Sequence, residues 1–187
     1  MLNAKTTSAD IYLRSGPIRA KEVSLVLSDF RASFPKIQYE IDAKSHTVNA
    51  QAFALGMMRI VRLYGGLALH PKVNDDALIF ALLHETGHLL ASGRRFASDP
   101  MLACDCEADK WAISEGAEIL HRKSGREFRI ERALESLDAI VSVARGSPAE
   151  LKPTRSTDCW ALDWNARKSR LSSARDVVVS GRCYFSN

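Results

Sequence analysis

The chain is organised around one pentapeptide, His84-Glu85-Thr86-Gly87-His88. Residues four apart lie on the same face of an α-helix, so His84 and His88 can direct two imidazoles at one point in space. Glu85 follows about 100° further round the helix, where its carboxylate can reach a metal-bound water without becoming a ligand. This H-E-x-x-H spacing is typical of two zinc ligands and one general base.

The residues on either side of the pentapeptide predict a buried helix between about 74 and 93. Asn74 can cap the start of this helix, and Gly93 can end it. Asp75 and Asp76 suit its first turn, where the helix dipole favours negative charge. The side chains between these ends are apolar on nearly every face, which is typical of a helix in the middle of a domain. Buried imidazoles need partners, and a zinc ion would satisfy both of them. The alternative is a buried helix whose two histidines bond to neighbouring carbonyl groups.

A catalytic zinc site needs a third protein ligand and an open position for water, and the segment after Asp99 is rich in carboxylates. An aspartate–proline pair there is a typical helix start, and we predict a helix from Asp99 to about Lys123. On that helix Asp105 and Asp109 share a face, whereas Glu107 lies about 200° from Asp105. The pair offers one metal ligand and one acceptor for the free N–H of a ligating histidine. The alternative is an exposed acidic face on an ordinary helix.

Hydrophobic periodicity in the rest of the chain predicts an α+β domain. The other predicted helices cover 18–34, 126–145 and 157–174, and the predicted strands cover 36–42, 58–69 and 177–179. Gly65 and Gly66 interrupt the second strand, which indicates either a β-bulge or a place where another backbone comes close. In a peptidase that backbone could be the substrate, added as an extra strand at the sheet edge.

The composition is that of a folded globular chain. At 187 residues, 46% of them hydrophobic and 26% charged, the chain can bury one core. No apolar run is long enough for a signal peptide or a membrane span, so we predict no membrane partner. Four cysteines are too few for a disulfide scaffold, so we expect reduced thiols and a cytoplasmic protein. The net charge of +4 is mild, and we do not predict nucleic-acid binding.

Three blocks of the sequence resemble the gluzincin-type zinc metallopeptidases of the HtpX and CAAX prenyl protease family and their soluble relatives. Residues 49–56 resemble the family's N-A-F-A-x-G segment with one extra residue, and 62–69 resemble the strand that enters the active helix. The pentapeptide is followed at 105–109 by Asp-Cys-Glu-Ala-Asp, which resembles the family's E-x-x-A-D. This last block also resembles a segment of ImmA/IrrE-type peptidases, which cleave repressors in bacteria. The likeness covers about 36–120.

The resemblance implies a zincin-like metallopeptidase fold, in which a small antiparallel or mixed sheet packs on the active-site helix. The catalytic domain would cover 18–125, and a helical C-terminal extension over 126–187 would pack on the same domain. The implied roles are one zinc ion held by His84, His88 and Asp105, with Asp109 behind a ligating histidine and Glu85 as the general base. The family has glutamate in place of Asp105, whose side chain is one methylene shorter, so its helix must come closer. Otherwise Glu107 or Cys106 could take the third ligand position.

The predicted reaction is hydrolysis of a peptide bond by a metal-activated water, with Glu85 taking the proton. A group that stabilises the oxyanion is also required, and the candidates are His121, Tyr64 and His70. His121 falls about 160° from Asp105 on a straight helix, which turns it away from the metal. The expected partner is a peptide or protein substrate, soluble because the membrane helices of HtpX have no counterpart. The alternatives are a non-catalytic metal-binding protein of the same fold and a selective regulatory protease. No oligomeric state is predicted.

Overall fold

A computed structural model of the protein describes residues 4–5, 17–144 and 164–173. Its elements, in chain order, are β1 (Ala4–Lys5), α1 (Pro17–Ser33), β2 (Gln38–Asp42), β3 (Thr47–Val48), β4 (Ala50–Leu55), β5 (Met58–Tyr64), α2 (Gly65–Ala68), α3 (Asp75–Leu90), α4 (Asp105–Trp111), a π-helical turn (Ala112–Gly116), α5 (Ala117–Ser124), α6 (Ile130–Ala144) and α7 (Trp164–Ser173). This content confirms the predicted α+β class. The predicted helix over 18–34 and the predicted strand over 36–42 correspond to α1 and β2.

Three strands form a small mixed sheet in the order β2–β5–β4. β2 runs parallel to β5, with Tyr39 opposite Val61, and β4 runs antiparallel to β5, with Ala52 opposite the same valine. These three side chains are buried, so their part of the sheet belongs to the core. β4 is an outer strand, and the N–H of its Ala52 donates to the side chain of Glu85 on α3. A separate pair, β1 and β3, is antiparallel.

Helix α3 is buried along nearly its whole length. Every residue from Asp76 to Leu89 is buried, as predicted for a helix that is apolar on nearly every face. Asn74 caps its start as predicted, because its side-chain oxygen accepts a hydrogen bond from the N–H of Ala77 at 2.8 Å. The hydroxyl oxygens of Tyr39 and Thr86 lie 2.7 Å apart and tie β2 to the middle of this helix. The central element of the fold is therefore the helix that carries the pentapeptide.

The paired glycines end a strand rather than interrupt one. β5 stops at Tyr64, and Gly65 and Gly66 begin the single helical turn α2, so the strand predicted over 58–69 is too long. A Cβ on Gly65 would lie 2.4 Å from the carbonyl oxygen of Ala43, and one on Gly66 would lie 2.4 Å from that of His46. The predicted close approach of another backbone is thus confirmed, but that backbone is the loop after β2.

The segment before α4 is a loop, so the helix start predicted at Asp99 is wrong. The side chain of Asp99 accepts a hydrogen bond from the N–H of Met101 at 3.1 Å. The N–H of Phe96 donates to the carbonyl of Leu102 at 3.0 Å. The loop satisfies these groups locally, and a helix through it would give up these hydrogen bonds. The helix begins instead at Asp105.

The helix predicted over 99–123 is also interrupted in its middle. α4 passes into the π-helical turn at Ala112–Gly116 and continues as α5 to Ser124. The wider turn changes the angular relation between α4 and α5, so faces counted on a straight helix no longer align. Gly125 follows in the left-handed conformation, with φ of 71°, and ends the helix as predicted.

The C-terminal helices lie against the central helix and against each other. α6 begins at Ile130 rather than at 126. The hydroxyl oxygen of its Ser136 accepts a hydrogen bond from the N–H of Asn74 at 3.1 Å, beside the start of α3. α7 lies inside the helix predicted over 157–174, and its Trp164 indole N–H donates to Asp138 of α6 at 2.8 Å. The remainder of that predicted helix and the strand predicted over 177–179 fall outside the described residues. The boundary between the two predicted domains stays a prediction.

Across the described parts of the chain, none of the helices combines the length and apolar character needed to cross a bilayer.

Candidate metal centre

Two imidazoles and one carboxylate converge beside the middle of α3. His84 and His88 lie one turn apart on this helix, with ring centroids 4.5 Å apart. Asp105, the first residue of α4, places its Oδ1 3.4 Å from Nε2 of His84 and 3.5 Å from Nε2 of His88. One ligand atom from each of the three residues lies within 4.8 Å of the others. The structure therefore brings together the three residues predicted as metal ligands.

The other ring nitrogens decide how these histidines are oriented. Nδ1 of His84 lies 2.7 Å from Oδ1 of Asp109, and Nδ1 of His88 lies 2.6 Å from the carbonyl oxygen of Ala103. A carbonyl or carboxylate oxygen can only accept a hydrogen bond, so the Nδ1 atom that faces it must carry the proton. The Nε2 atom of each neutral imidazole therefore keeps a lone pair. Asp109 thus accepts the N–H of His84, as predicted, while the role of His84 as a metal ligand stays a prediction.

Nε2 of His84 supplies a direct test of whether the site suits a cation. This atom is buried, and no hydrogen-bond partner for it exists within the described residues. A buried polar atom without a partner is costly, so such an atom calls for an explanation. A metal ion between the three side chains would accept its lone pair, and two imidazoles with one carboxylate form a donor set that metals use. The residues fit a metal ion better than the alternative in which both histidines bond only to carbonyls.

Neither alternative third ligand joins this cluster. The Glu107 carboxylate lies over the backbone of Gly93, where an added Cβ would be 2.6 Å from the Glu107 carboxyl carbon. Cys106 is in a disulfide bond, so it offers no thiolate. Asp105 is the carboxylate that the structure places between the two imidazoles.

The disulfides correct an expectation drawn from the composition. Cys104 and Cys106, which flank Asp105, are both disulfide-bonded, so the expectation of reduced thiols is wrong for them. The number of cysteines in a chain does not set their redox state, because pairing depends on which sulfurs the fold brings together. The expectation of a cytoplasmic protein rested partly on reduced thiols and loses that support. Cys159 and Cys183 lie outside the described residues.

Glu85 lies beside the cluster without being part of it. Its Oε2 accepts a hydrogen bond from the Ala52 N–H of β4 at 2.7 Å, and its Oε1 lies 3.9 Å from Nε2 of His84. Burial raises the pKa of Glu85 to about 7, against the opposing effects of His84 and the Ala52 hydrogen bond. A carboxyl group with a pKa near neutrality is well matched to accept and return a proton.

Charge around the site favours ionised aspartates. Burial works against ionisation of Asp105, but the neighbouring His84 imidazole outweighs it and holds the pKa of Asp105 well below its usual range. Burial likewise opposes ionisation of Asp109, while Arg167 and His84 lower its pKa to about 2. Both carboxylates are therefore negative at neutral pH, as a metal ligand and a partner of a histidine N–H must be.

The two histidines differ in how readily they take a proton. Burial, aided by the charge of His84, lowers the pKa of His88 to about 4. Burial and the Arg167 cation also oppose protonation of His84. The carboxylates of Asp109 and Asp105 outweigh both effects, so the pKa of His84 is raised. A bound cation would compete with that proton for Nε2 of His84, so metal binding there is coupled to proton release.

Arg167 of α7 is a functional candidate that the sequence did not reveal. Its Nε lies 2.7 Å from Oδ2 of Asp109, and its Nη2 donates to Oδ1 of the same carboxylate. Nη2 also lies 3.0 Å from Nδ1 of His84, but both atoms carry protons in this tautomer, so this is a contact rather than a hydrogen bond. Arg167 thereby orients the carboxylate that orients His84. One arginine in a basic extension carries no signal of such a role.

No family model, curated protein or solved structure gives a significant match to this chain. What the site can do is therefore inferred from its own geometry.

The three predicted oxyanion-stabilising candidates are all engaged elsewhere. The His121 side chain is 58% exposed and pairs with Glu127 at 3.5 Å, in line with the prediction that it faces away from the metal. The Tyr64 hydroxyl donates to Gln51 at 3.2 Å. Nδ1 of His70 accepts a hydrogen bond from the backbone N–H of Lys72 at 3.1 Å.

Proposed function

We propose that this chain is a zinc metallopeptidase with a zincin-like fold, as its resemblance to the HtpX and CAAX prenyl protease family and to ImmA/IrrE-type peptidases implies. One observation carries the proposal: His84, His88 and Asp105 converge on one point, with buried Glu85 beside them. Three protein ligands leave one position of a tetrahedral zinc open, which is the arrangement of a catalytic site rather than a structural one. The substrate would be a peptide or protein.

The accessibility of the cluster supports a reactive site. The His84 side chain is fully buried, but the Asp105 side chain is 28% exposed, so the cluster has a side that solvent can reach. When bound there, zinc would supply Lewis-acid chemistry, acidifying a water molecule and polarising a peptide carbonyl. A water molecule beside Nε2 of His84 would be close to the carboxylate of Glu85, whose Oε1 lies 3.9 Å from that nitrogen.

Glu85 has the position of a general base. One carboxylate oxygen is held by the Ala52 N–H, which leaves the other free to take a proton from water. From this position the carboxylate can accept that proton and give it to the leaving amine afterwards. Because Glu85 is a base rather than a ligand in this scheme, its loss should abolish turnover while zinc stays bound.

The sheet edge beside Glu85 suits an extended peptide. β4 is an outer strand of the sheet, and the Ala52 N–H that meets Glu85 points away from β5, the partner of β4. Outer strands carry unpaired backbone groups and can take up another strand by main-chain hydrogen bonds. A peptide added there would place its backbone next to the general base.

Glu85→Gln tests the proposal, because glutamine keeps the size of the side chain and an oxygen for the Ala52 N–H. We expect wild type and E85Q to contain about one zinc each, since both keep the three ligands. Cleavage by E85Q of a library of peptides and unfolded proteins should fall at least about 100-fold. Elemental analysis and mass spectrometry of the digest provide the two measurements.

Two outcomes would contradict the proposal in different ways. Undiminished cleavage by E85Q would remove Glu85 from the mechanism. Zinc bound without any turnover of the library by wild type would favour the two alternatives, a metal-binding protein that is not an enzyme or a regulatory protease selective for one partner.

A further inference from the structure

We propose that Gly87 is a positioning residue, whose missing side chain allows an aspartate to complete the metal centre. The inference rests on the proposed metal site and concerns a pentapeptide residue that has no role in the hydrolysis described above. Its basis is the contact between the backbones of α3 and α4.

The two helices meet at Gly87 and Ala108. A Cβ on Gly87 would lie 2.7 Å from the carbonyl oxygen of Ala108 and 2.9 Å from its Cα. Both distances are shorter than van der Waals contact between such atoms, so any side chain at position 87 would collide with α4. The obstructing atoms belong to the backbone of a helix and cannot rotate aside, so α4 itself would have to move.

This contact coincides with the ligand cluster. Gly87 lies between His84 and His88 on α3, and Ala108 lies three residues after Asp105, on the same side of α4 one turn later. Moving α4 outward would withdraw the Asp105 carboxylate from the two imidazoles, from which it is 3.4 and 3.5 Å away. The geometry of the cluster therefore depends on the distance that Gly87 permits.

The length of the third ligand has to match this distance. Aspartate has one methylene between its Cα and its carboxylate, so it reaches the imidazoles only from a nearby backbone. Glutamate has two, so on the present backbone its carboxylate would extend beyond the point that Asp105 occupies. Gly87 and Asp105 thus form a matched pair: a larger residue at 87 requires a longer carboxylate at 105.

The test compares the zinc affinities of wild type, Gly87→Ala, Asp105→Glu and the double variant, each titrated with zinc against a chromophoric chelator. We expect G87A and D105E each to weaken zinc binding by about tenfold or more, the range seen when metal ligands lose their orientation. The double variant should bind zinc more tightly than G87A alone. A purely structural role of Gly87 would not produce that recovery, because a second substitution in a damaged contact would weaken binding further.

Gly116→Ala is the matched control. A Cβ there would lie 2.5 Å from the ring of Trp111, so it disturbs a tight contact of the same helical segment without moving the ligand-bearing turn against α3. We expect its zinc affinity to stay within about threefold of wild type, because Gly116 supports no ligand.

Each outcome decides the inference. A folded G87A that binds zinc as tightly as wild type overturns it, and so does a double variant that binds no better than G87A. If G87A does not fold, the zinc affinity of D105E decides the inference. Weaker zinc binding by D105E supports a match between the carboxylate length at 105 and the helix spacing, and unchanged binding overturns it. A wild-type chain that binds no zinc would instead reject the proposed function, and the inference with it.

Discussion

At the scale of single residues, the site depends on the partners of each polar atom. Nδ1 of His84 faces Asp109 and Nδ1 of His88 faces a backbone carbonyl, which leaves two Nε2 lone pairs for a cation. The buried Glu85 has only one oxygen held by a backbone N–H. Its carboxylate is therefore poorly stabilised in the metal-free protein, and its protonated form is favoured by burial.

This environment predicts a pH dependence of stability in the metal-free protein. Burial raises the pKa of Glu85 to about 7 in the folded state, from its ordinary value of 4.5. The resulting contribution to the free energy of unfolding is present at low pH and is lost as the pH rises through about 7. Between about pH 5 and pH 8, wild type should lose on the order of 2 kcal/mol more than E85Q, which cannot titrate there.

Urea unfolding of both proteins in excess chelator measures this difference. Equal losses in wild type and E85Q would show that burial does not raise the pKa of Glu85.

At the scale of elements, α7 completes the site from far along the chain. Its Arg167 binds both oxygens of Asp109, with side-chain exposures of 15% and 12%, and Asp109 in turn holds His84. The same helix carries Lys168, whose ion pair with Asp138 of α6 is far more exposed, at 37% and 42%. The two neighbouring residues therefore make the same kind of contact in different surroundings.

Arg167→Ala should destabilise the protein much more than Lys168→Ala. Removing Arg167 leaves a buried carboxylate without its cation, which costs on the order of 3 kcal/mol. Removing Lys168 breaks an exposed pair, for which we expect a loss of about 1 kcal/mol or less. Urea unfolding measures both losses, and zinc affinity should fall in R167A but not in K168A, because only Arg167 orients a partner of His84.

Equal effects of the two substitutions would contradict the role given to Arg167.

At the scale of the whole molecule, covalent cross-links bear on the same site. Cys104 and Cys106 stand on either side of Asp105, and both are disulfide-bonded. Disulfide bonds restrict the conformations open to the chain, so they constrain the backbone next to Asp105. The residue proposed as the third metal ligand therefore lies between two disulfide-bonded cysteines.

The disulfides predict a specific labelling pattern. When the purified protein is unfolded without a reductant and treated with iodoacetamide, Cys104 and Cys106 should stay unlabelled, and both should be labelled after reduction. Reduction should also lower the free energy of unfolding by about 2–5 kcal/mol. Peptide mass mapping and urea unfolding give the two readings, and labelling of either cysteine before reduction would contradict the prediction.

The local features of this chain could be predicted from its sequence, because they depend on residues close together along it. The cap at Asn74, the burial of α3 and the common face of His84 and His88 follow from helix periodicity and short-range hydrogen bonding. The carboxylate pair of Asp105 and Asp109 was predicted in the same way. All of these rest on interactions within one or two helical turns.

The features that join distant segments could not be predicted from the sequence, because they depend on tertiary packing. The loop before α4 replaced a predicted helix because its backbone groups found partners within the loop, and the close approach at Gly66 involved the backbone after β2. Arg167 reaches Asp109 from 58 residues away. Cys104 is disulfide-bonded, although the cysteine count had suggested a free thiol. Periodicity cannot reveal such contacts, because they depend on how complete elements pack against one another.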